Sequence, residues 1–218
     1  MDEKNTNRLE AFSDGVFAVA ITLLVLNIKV PGMDSASKPL DEDLWRQLFK
    51  EWPLLVAYVT SFATIGIMWI NHHRLFTHIK RTDTGLLLLN LLLLLIIVFI
   101  PVPTALLAEY IVLPNDHVAA IIYSGTNVAL AICFNLLWRY ASYHNRFLGK
   151  DADTRAVAAI SRQYVFGPLL YLVAFGLAWF NTPASLVLNF MLALFFALPG
   201  RALRQLSSSN ASTDLNQD

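Results

Sequence analysis

The chain has 218 residues, of which 56% are hydrophobic and 15% charged, and its formal net charge is +0. A water-soluble domain of this length needs far more polar surface, and a balanced charge gives no reason to expect nucleic acid. The apolar residues fall in blocks of membrane-crossing length, which defines an all-α, polytopic membrane protein surrounded by lipid.

The first predicted span covers residues 9–30. Those 22 residues make roughly 33 Å of helix, enough to cross a bilayer. Arg8, Phe12, Ser13 and Asp14 stand at its head, and no further charge follows until Lys29. Asp14 therefore lies inside the span, where an ionisable group costs about 2.5–3.5 kcal/mol and normally faces a protein interior or a water-filled path. Pro31-Gly32 stops this span, and a polar loop runs through Lys38-Pro39. Residues 41–51 read as an amphipathic lead-in with Trp45 and Trp52 at headgroup level. The second span covers 53–71, with His72-His73-Arg74 marking its end. The third, 85–107, is saturated with leucine and kinked by Pro101 and Pro103. Spans at 118–138, 164–180 (with Gly167-Pro168 near its start) and 184–199 complete a six-span domain over 1–204. The polar tail 205–218 reads as a disordered cytoplasmic segment.

Six spans put twelve basic residues on one side: Lys4 and Arg8, three between spans two and three, five between four and five, and Arg201 with Arg204. The positive-inside rule makes that side cytoplasmic, with both termini inside a multi-pass cell-membrane protein; five or seven spans break the pattern. No cleavable signal peptide is evident after Asp2 and Glu3. Cys133 reads as a small buried hydrophobe.

Counting depth from the basic ends places Ser13, Asp14, Trp69, Asn71, His72, His73 and Asn90 in one layer. Arg8 is six residues from Asp14 and sits on another face, so Asp14 needs a partner from a second helix; His72, His73 and Asn90 are the donors at matching depth. The layer reads as an inter-helix hydrogen-bond network, a proton relay or an ion path. It makes a poor metal site, because adjacent histidines diverge by about 100° on a helix and no cysteine is near, so neither a metal nor another cofactor is expected. No serine has a nucleophile setting, and no catalytic residue is assigned. Farther in, Gly15, Ala18, Val19, Thr22, Leu23 and Leu26 form one helical stripe, small at its start and then apolar. Such a stripe packs against another helix, or several copies of it form stacked apolar rings that gate by dewetting. One chain holds one such helix, so a pore of this kind needs a ring of subunits.

Arg8-x-x-x-Phe12-Ser13-Asp14, the run from Gly15 to Leu26, the Trp69-x-x-His72-His73 end of span two, and Asn90 resemble the transmembrane protein 175 family of potassium channels. The resemblance covers about the first 90 residues. With a single Phe-Ser-Asp, the chain is similar to the single-repeat prokaryotic form, which implies a homotetramer. The resemblance further implies that the first helix lines a central pore, unlike the ordinary potassium-channel fold. It places the gate at Val19, Leu23 and Leu26, the selectivity hydroxyl at Thr22 and the pore entrance at Gly15 and Ala18. Val19 departs from the larger isoleucine or leucine usual there. Arg8, Phe12, Ser13, Asp14, Trp69, His72, His73 and Asn90 are implied to be the structural signature that fixes the helix. The expected function is a passive potassium-permeable channel for monovalent cations. The alternative is a proton- or cation-coupled secondary transporter using Asp14 and His72 or His73. An intramembrane enzyme lacks both nucleophile and base.

Overall fold

The computed structural model describes residues 4–28, 45, 46, 49, 52–111, 116–149 and 154–197. The Pro31-Gly32 stop, the Lys38-Pro39 loop, most of the 41–51 lead-in, Lys29, Lys50, Arg201, Arg204 and the tail 205–218 lie outside the described residues. Trp45 and Phe49 of the lead-in are helical and exposed, with ring centroids 6.5 Å apart.

Among the described residues the fold is helical throughout. α1 (Lys4–Leu23) tightens into a 3-10 turn, Leu24–Asn27; then come α2 (Trp52–His78), α3 (Thr84–Phe99), α4 (Pro101–Tyr110), α5 (Asp116–Ser142), α6 (Thr154–Leu177) and α7 (Thr182–Ala197). Five stretches are long and apolar enough to cross a membrane, α3 and α4 together making one of them, and Thr182–Phe196 is a shorter apolar helix. The main core joins α1, α2, α3, α5 and the start of α6 around Phe17, Leu75, Leu93, Leu130 and Trp138. A second core joins α5, α6 and α7 around Tyr171, Ala174 and Leu192.

Three boundaries differ from the sequence reading. The α-helical part of span one closes at Leu23, not Val30, and Ile28 is already extended (φ −79°, ψ 105°). Span two does not end at Asn71; α2 continues through His78, because no glycine or proline stands between Asn71 and His78 and basic side chains suit a helix C-terminus. The helix of span five begins at Thr154, ten residues before the expected 164, and its membrane-crossing stretch at Val157. Arg155 and Arg162 project to the exposed side there, while Ile160 is buried and Ser161 accepts the Trp138 indole N–H at 2.9 Å.

Prolines break helices in predictable ways, because each removes the bond to the carbonyl four residues back. Pro101 frees the Ile97 carbonyl, which instead accepts Ile100 N–H at 3.2 Å in a tight turn, and span three divides there into α3 and α4. Thr104 then donates its hydroxyl to the Ile100 carbonyl at 2.8 Å, so Ser61 of α2 must be the donor in the 2.7 Å Ser61–Thr104 bond. Pro168 lies inside α6 and frees the Tyr164 carbonyl. Asn135 of α5 donates to that carbonyl at 2.7 Å, in a buried site where water cannot substitute.

At the basic end, the segment after α2 pairs with the segment after α5. Ile79 and Leu148 form an antiparallel bridge, and Lys80 N–H donates to the Phe147 carbonyl at 2.8 Å. Asp83 ties this corner together. It caps α3 by accepting Leu86 N–H at 2.9 Å, takes the Tyr140 hydroxyl at 2.9 Å, and meets Arg146 at 3.3 Å. Gly85 is required here, since a Cβ at that position would collide with the Tyr140 hydroxyl. Partial burial works to raise the Asp83 carboxyl, but the Leu86 amide, the Tyr140 hydroxyl and Arg146 outweigh it and hold it below its ordinary value.

Asn135→Leu should lower thermal stability by about 1–3 kcal/mol, because it strands a buried carbonyl. Pro168→Ala should restore the helix's own bond and shrink that loss; a double-mutant cycle with no coupling between the two sites would refute the account. Because the folded-state value of Asp83 is depressed, its stabilisation is present above the ordinary carboxylate range and is lost as pH falls through the folded value. In acid-unfolding curves, Asp83→Asn should therefore show a shallower loss of stability below about pH 4. Superimposable acid limbs would show that Asp83 contributes nothing.

Candidate functional site

α1 has two unlike faces. Leu9, Ser13, Phe17, Ala20 and Leu24 recur at helical spacing, are all buried, and pack onto α2 and α3. The stripe Gly15, Ala18, Val19, Thr22, Leu23 and Leu26 points the other way and is exposed along its whole length. Val19 is 54% exposed, and Leu26, in the 3-10 turn, is 75% exposed. Residues three apart eclipse in a 3-10 turn, so Leu26 stays close to the line of Leu23 although the α-helix has ended. Thr22 donates its hydroxyl proton to the Val19 carbonyl at 2.9 Å, leaving its oxygen lone pairs on the exposed side. A Cβ on Gly15 would meet nothing within 4 Å, so nothing in this chain's own packing demands a glycine there.

Behind this face, a chain of hydrogen bonds crosses three helices with a fixed direction. Ser13 donates its hydroxyl to the Leu9 carbonyl at 2.8 Å. Its oxygen can then only accept, and it accepts the Asn90 amide N–H at 2.9 Å. Asn90 therefore turns its carbonyl oxygen to His72 Nε2, 2.9 Å away, and His72 must donate from that nitrogen. All three side chains are fully buried. His72 Nδ1, the nitrogen left without a proton, has no partner. The ring packs between Phe17 and Phe76, at centroid distances of 5.4 and 4.4 Å.

The Asp14 partner expected from sequence is corrected. His72, His73 and Asn90 were the expected donors, but Trp69 donates its indole N–H to Asp14 at 2.8 Å. Ser13 and Asp14 lie about 100° apart on α1, so only Ser13 reaches the buried pair on α2 and α3. Asp14 turns to the more exposed side with Trp69, which is 42% exposed. His73 meets Glu10 at 2.8 Å and stacks on Trp69 at 6.3 Å. The result is a second ladder, Glu10 and Asp14 on α1 facing Trp69 and His73 on α2, each pair spaced by four residues. Glu10 was not singled out from sequence, although its i, i+4 spacing from Asp14 was the available sign. Arg8 and Phe12 are exposed at the head of α1. Among the described residues, no three His, Cys, Asp or Glu side chains gather as a metal site.

A second buried polar cluster had no counterpart in the sequence reading. Ser185 donates to the Ala174 carbonyl at 2.7 Å, so Ser124 must be the donor in its 3.1 Å bond to Ser185. Asn189 donates to Ser124 at 2.9 Å and accepts from Asn127 at 3.3 Å. The spacings Ser124/Asn127 and Ser185/Asn189 put these polar groups on single helix faces, which was the legible signal. They join α5, α6 and α7 and lie apart from α1.

The long apolar helices, with buried side-chain hydrogen bonds between them, define a multi-pass α-helical membrane protein whose first helix is pinned on one face and free on the other. Comparison with known proteins narrows that class. Residues 8–101 match the family described as endosomal/lysosomal potassium channel TMEM175. A potassium channel of Chamaesiphon minutus is 48% identical over 92% of this chain and 98% of its own length. The crystal structure of a lysosomal potassium-selective channel TMEM175 homolog from that organism superposes with a TM-score of 0.79 at 47% identity, covering 89% of this chain and 97% of the other. The human endosomal/lysosomal proton channel TMEM175 is 35% identical over 63% of this chain, a match covering 28% of the human protein. The chain belongs to the TMEM175 family.

The two polar ladders should respond differently to substitution. Asn90→Leu strands both His72 Nε2–H and the Ser13 oxygen and should cost about 1–3 kcal/mol in thermal unfolding. Asp14→Asn keeps an oxygen acceptor for Trp69 and should fold and purify as wild type, whereas Asp14→Leu should not. Equal yields of Asp14→Asn and Asp14→Leu would show that the Trp69 bond is dispensable.

Proposed function

We propose that the protein is a potassium-permeable cation channel that conducts passively through a central pore lined by α1. The carrying observation is the unpartnered stripe from Gly15 to Leu26, opposite a face that is fully packed. A single chain cannot enclose a pore with one helix, so the reading requires a ring of subunits, a homotetramer by analogy with the family form it resembles. Gly15 is compatible with that reading, since its exposed side is open among the described residues. Gly15 and Ala18 then form the entrance, and Val19, Leu23 and Leu26 form apolar rings that close by dewetting rather than by a carbonyl filter. Thr22 offers its lone pairs to a passing cation beside the Val19 ring. Potassium selectivity is supported by the likeness to the Chamaesiphon minutus potassium channel. The basic ends of the spans face the cytoplasm, and both termini lie there, in the cell membrane.

The coupled-transporter alternative is less well supported. The Ser13–Asn90–His72 chain runs one way and ends on a backbone carbonyl and an apolar ring sandwich, so it offers a proton no through path. Arg8, Phe12, Ser13, Asp14, Trp69, His72, His73 and Asn90 act in this reading as the frame that holds α1.

Purified protein in potassium-loaded liposomes should release potassium down its gradient with no second substrate, and should weigh as a tetramer in detergent. Val19→Ala, which enlarges the first ring, should raise that flux several-fold. Unchanged flux would move the constriction to Leu23 or Leu26. A monomer, or flux that saturates and depends on a counter-ion, would overturn the channel reading. Proton flux is the companion measurement, because the human relative is a proton channel.

A further inference from the structure

At the end of the molecule opposite the basic loops, the start of α5 and the α6–α7 turn border an open surface cavity of about 400 Å³. Asp116, His117, Trp179, Phe180, Asn181 and Thr182 line it, and among the described residues no lysine or arginine does. Asp116 stands in the first turn of α5. Asn181 caps α7 by accepting Ala184 N–H through its side-chain oxygen at 3.0 Å, so its amide nitrogen remains a donor. Trp179 is 60% exposed and Phe180 is 90% exposed. Three spans end here, so the cavity sits at headgroup level in a bilayer, where aromatic residues anchor. Below it, Leu172 and Val173 on α6 and Val187 and Met191 on α7 continue an exposed apolar surface along the spans.

We propose that this cavity binds the headgroup of a phospholipid carrying an ammonium, such as phosphatidylethanolamine. The chemistry is complementary at each level. The Asp116 carboxylate attracts the ammonium, and the Trp179 ring offers it a π face. The Asn181 side-chain amide nitrogen offers a donor to the phosphate. The acyl chains lie along the α6–α7 surface. An anionic lipid without an amine brings nothing for Asp116 to pair with and is repelled by it. The site lies on helices that contribute nothing to the α1 stripe, so it stands whether or not the channel reading does.

The test uses the full chain in detergent, equilibrated with equal amounts of phosphatidylethanolamine and phosphatidylglycerol of identical acyl chains and read by native mass spectrometry. The ethanolamine lipid should be retained several-fold in excess. Asp116→Asn and Trp179→Ala should each cut that excess about fivefold, and Trp179→Phe, which keeps a π face, should largely preserve it. Equal retention of the two lipids by the wild type would overturn the proposal, as would an unchanged excess in Asp116→Asn. A photoactivatable phosphatidylethanolamine provides a readout that needs no variant. Its headgroup label should fall on the peptide spanning 174–190, and labelling confined to the basic-end loops would equally overturn it.

Discussion

The proton of the Ser13 hydroxyl governs the arrangement of the first helix. Once it is given to the Leu9 carbonyl, the serine oxygen can only accept, and that choice propagates. Asn90 must present its amide nitrogen to Ser13 and its oxygen to His72, and His72 must carry its proton on Nε2. Every orientation is determined by its neighbour, in a buried site where no water competes. The rotation of α1 about its own axis is set by the same contacts. With Ser13 turned inward, Phe17, Ala20 and Leu24 follow into the core, and Val19, Leu23 and Leu26 are left on the outside.

The demand that a buried backbone group find a partner also decides how the helices break. Pro101 and Pro168 each free a carbonyl, and the outcomes differ because the surroundings differ. At Ile97 the chain itself tightens by one residue and the span splits into α3 and α4. At Tyr164 a neighbouring helix supplies Asn135, and α6 runs on through the proline without a break. A proline alone therefore does not tell whether a helix ends; the donor available across the interface does.

This explains what could be read from the amino-acid sequence and what could not. Apolar block lengths identified the spans, and depth counting brought Ser13, Asp14, Trp69, His72, His73 and Asn90 to one layer, because both depend only on rise per residue. The partner of Asp14 was misread because depth fixes a layer but not an angle. Ser13 and Asp14 share a depth and face about 100° apart, and the Ser13–Asn90 bond together with the packing of Phe17 against His72 turns Ser13 inward. The start of α6 was missed for a related reason. Arg155 and Arg162 resemble a loop when counted as charge, yet seven residues apart they occupy one exposed helix face and leave Ile160 and Ser161 to the core. Asn135, Asn127 and Asn189 looked unremarkable in apolar surroundings, since their importance lies in acceptors on other helices.

The two faces of α1 are held by unlike forces, and the difference bears on how each half of the helix can move. Near its head the helix is gripped by directional bonds: Ser13 to Asn90 within the bundle, Asp14 to Trp69 and Glu10 to His73 at its edge. Beyond Phe17 the contacts are apolar, with Ala20 and Leu24 buried and Ile21 partly so, and the α-helical bonding itself ends at Leu23. Hydrogen bonds in an apolar setting resist rotation, whereas apolar contacts tolerate sliding, because they have no preferred angle. The stripe residue nearest the anchors, Gly15, is therefore held firmly. Leu26, at the other end on a 3-10 turn, is the most loosely held of the six. If these side chains form rings around an axis, a change of radius is cheapest at Leu26 and dearest near Gly15. A constriction meant to keep a constant width is best placed toward the anchored end, at Val19, and one meant to open and close toward Leu26.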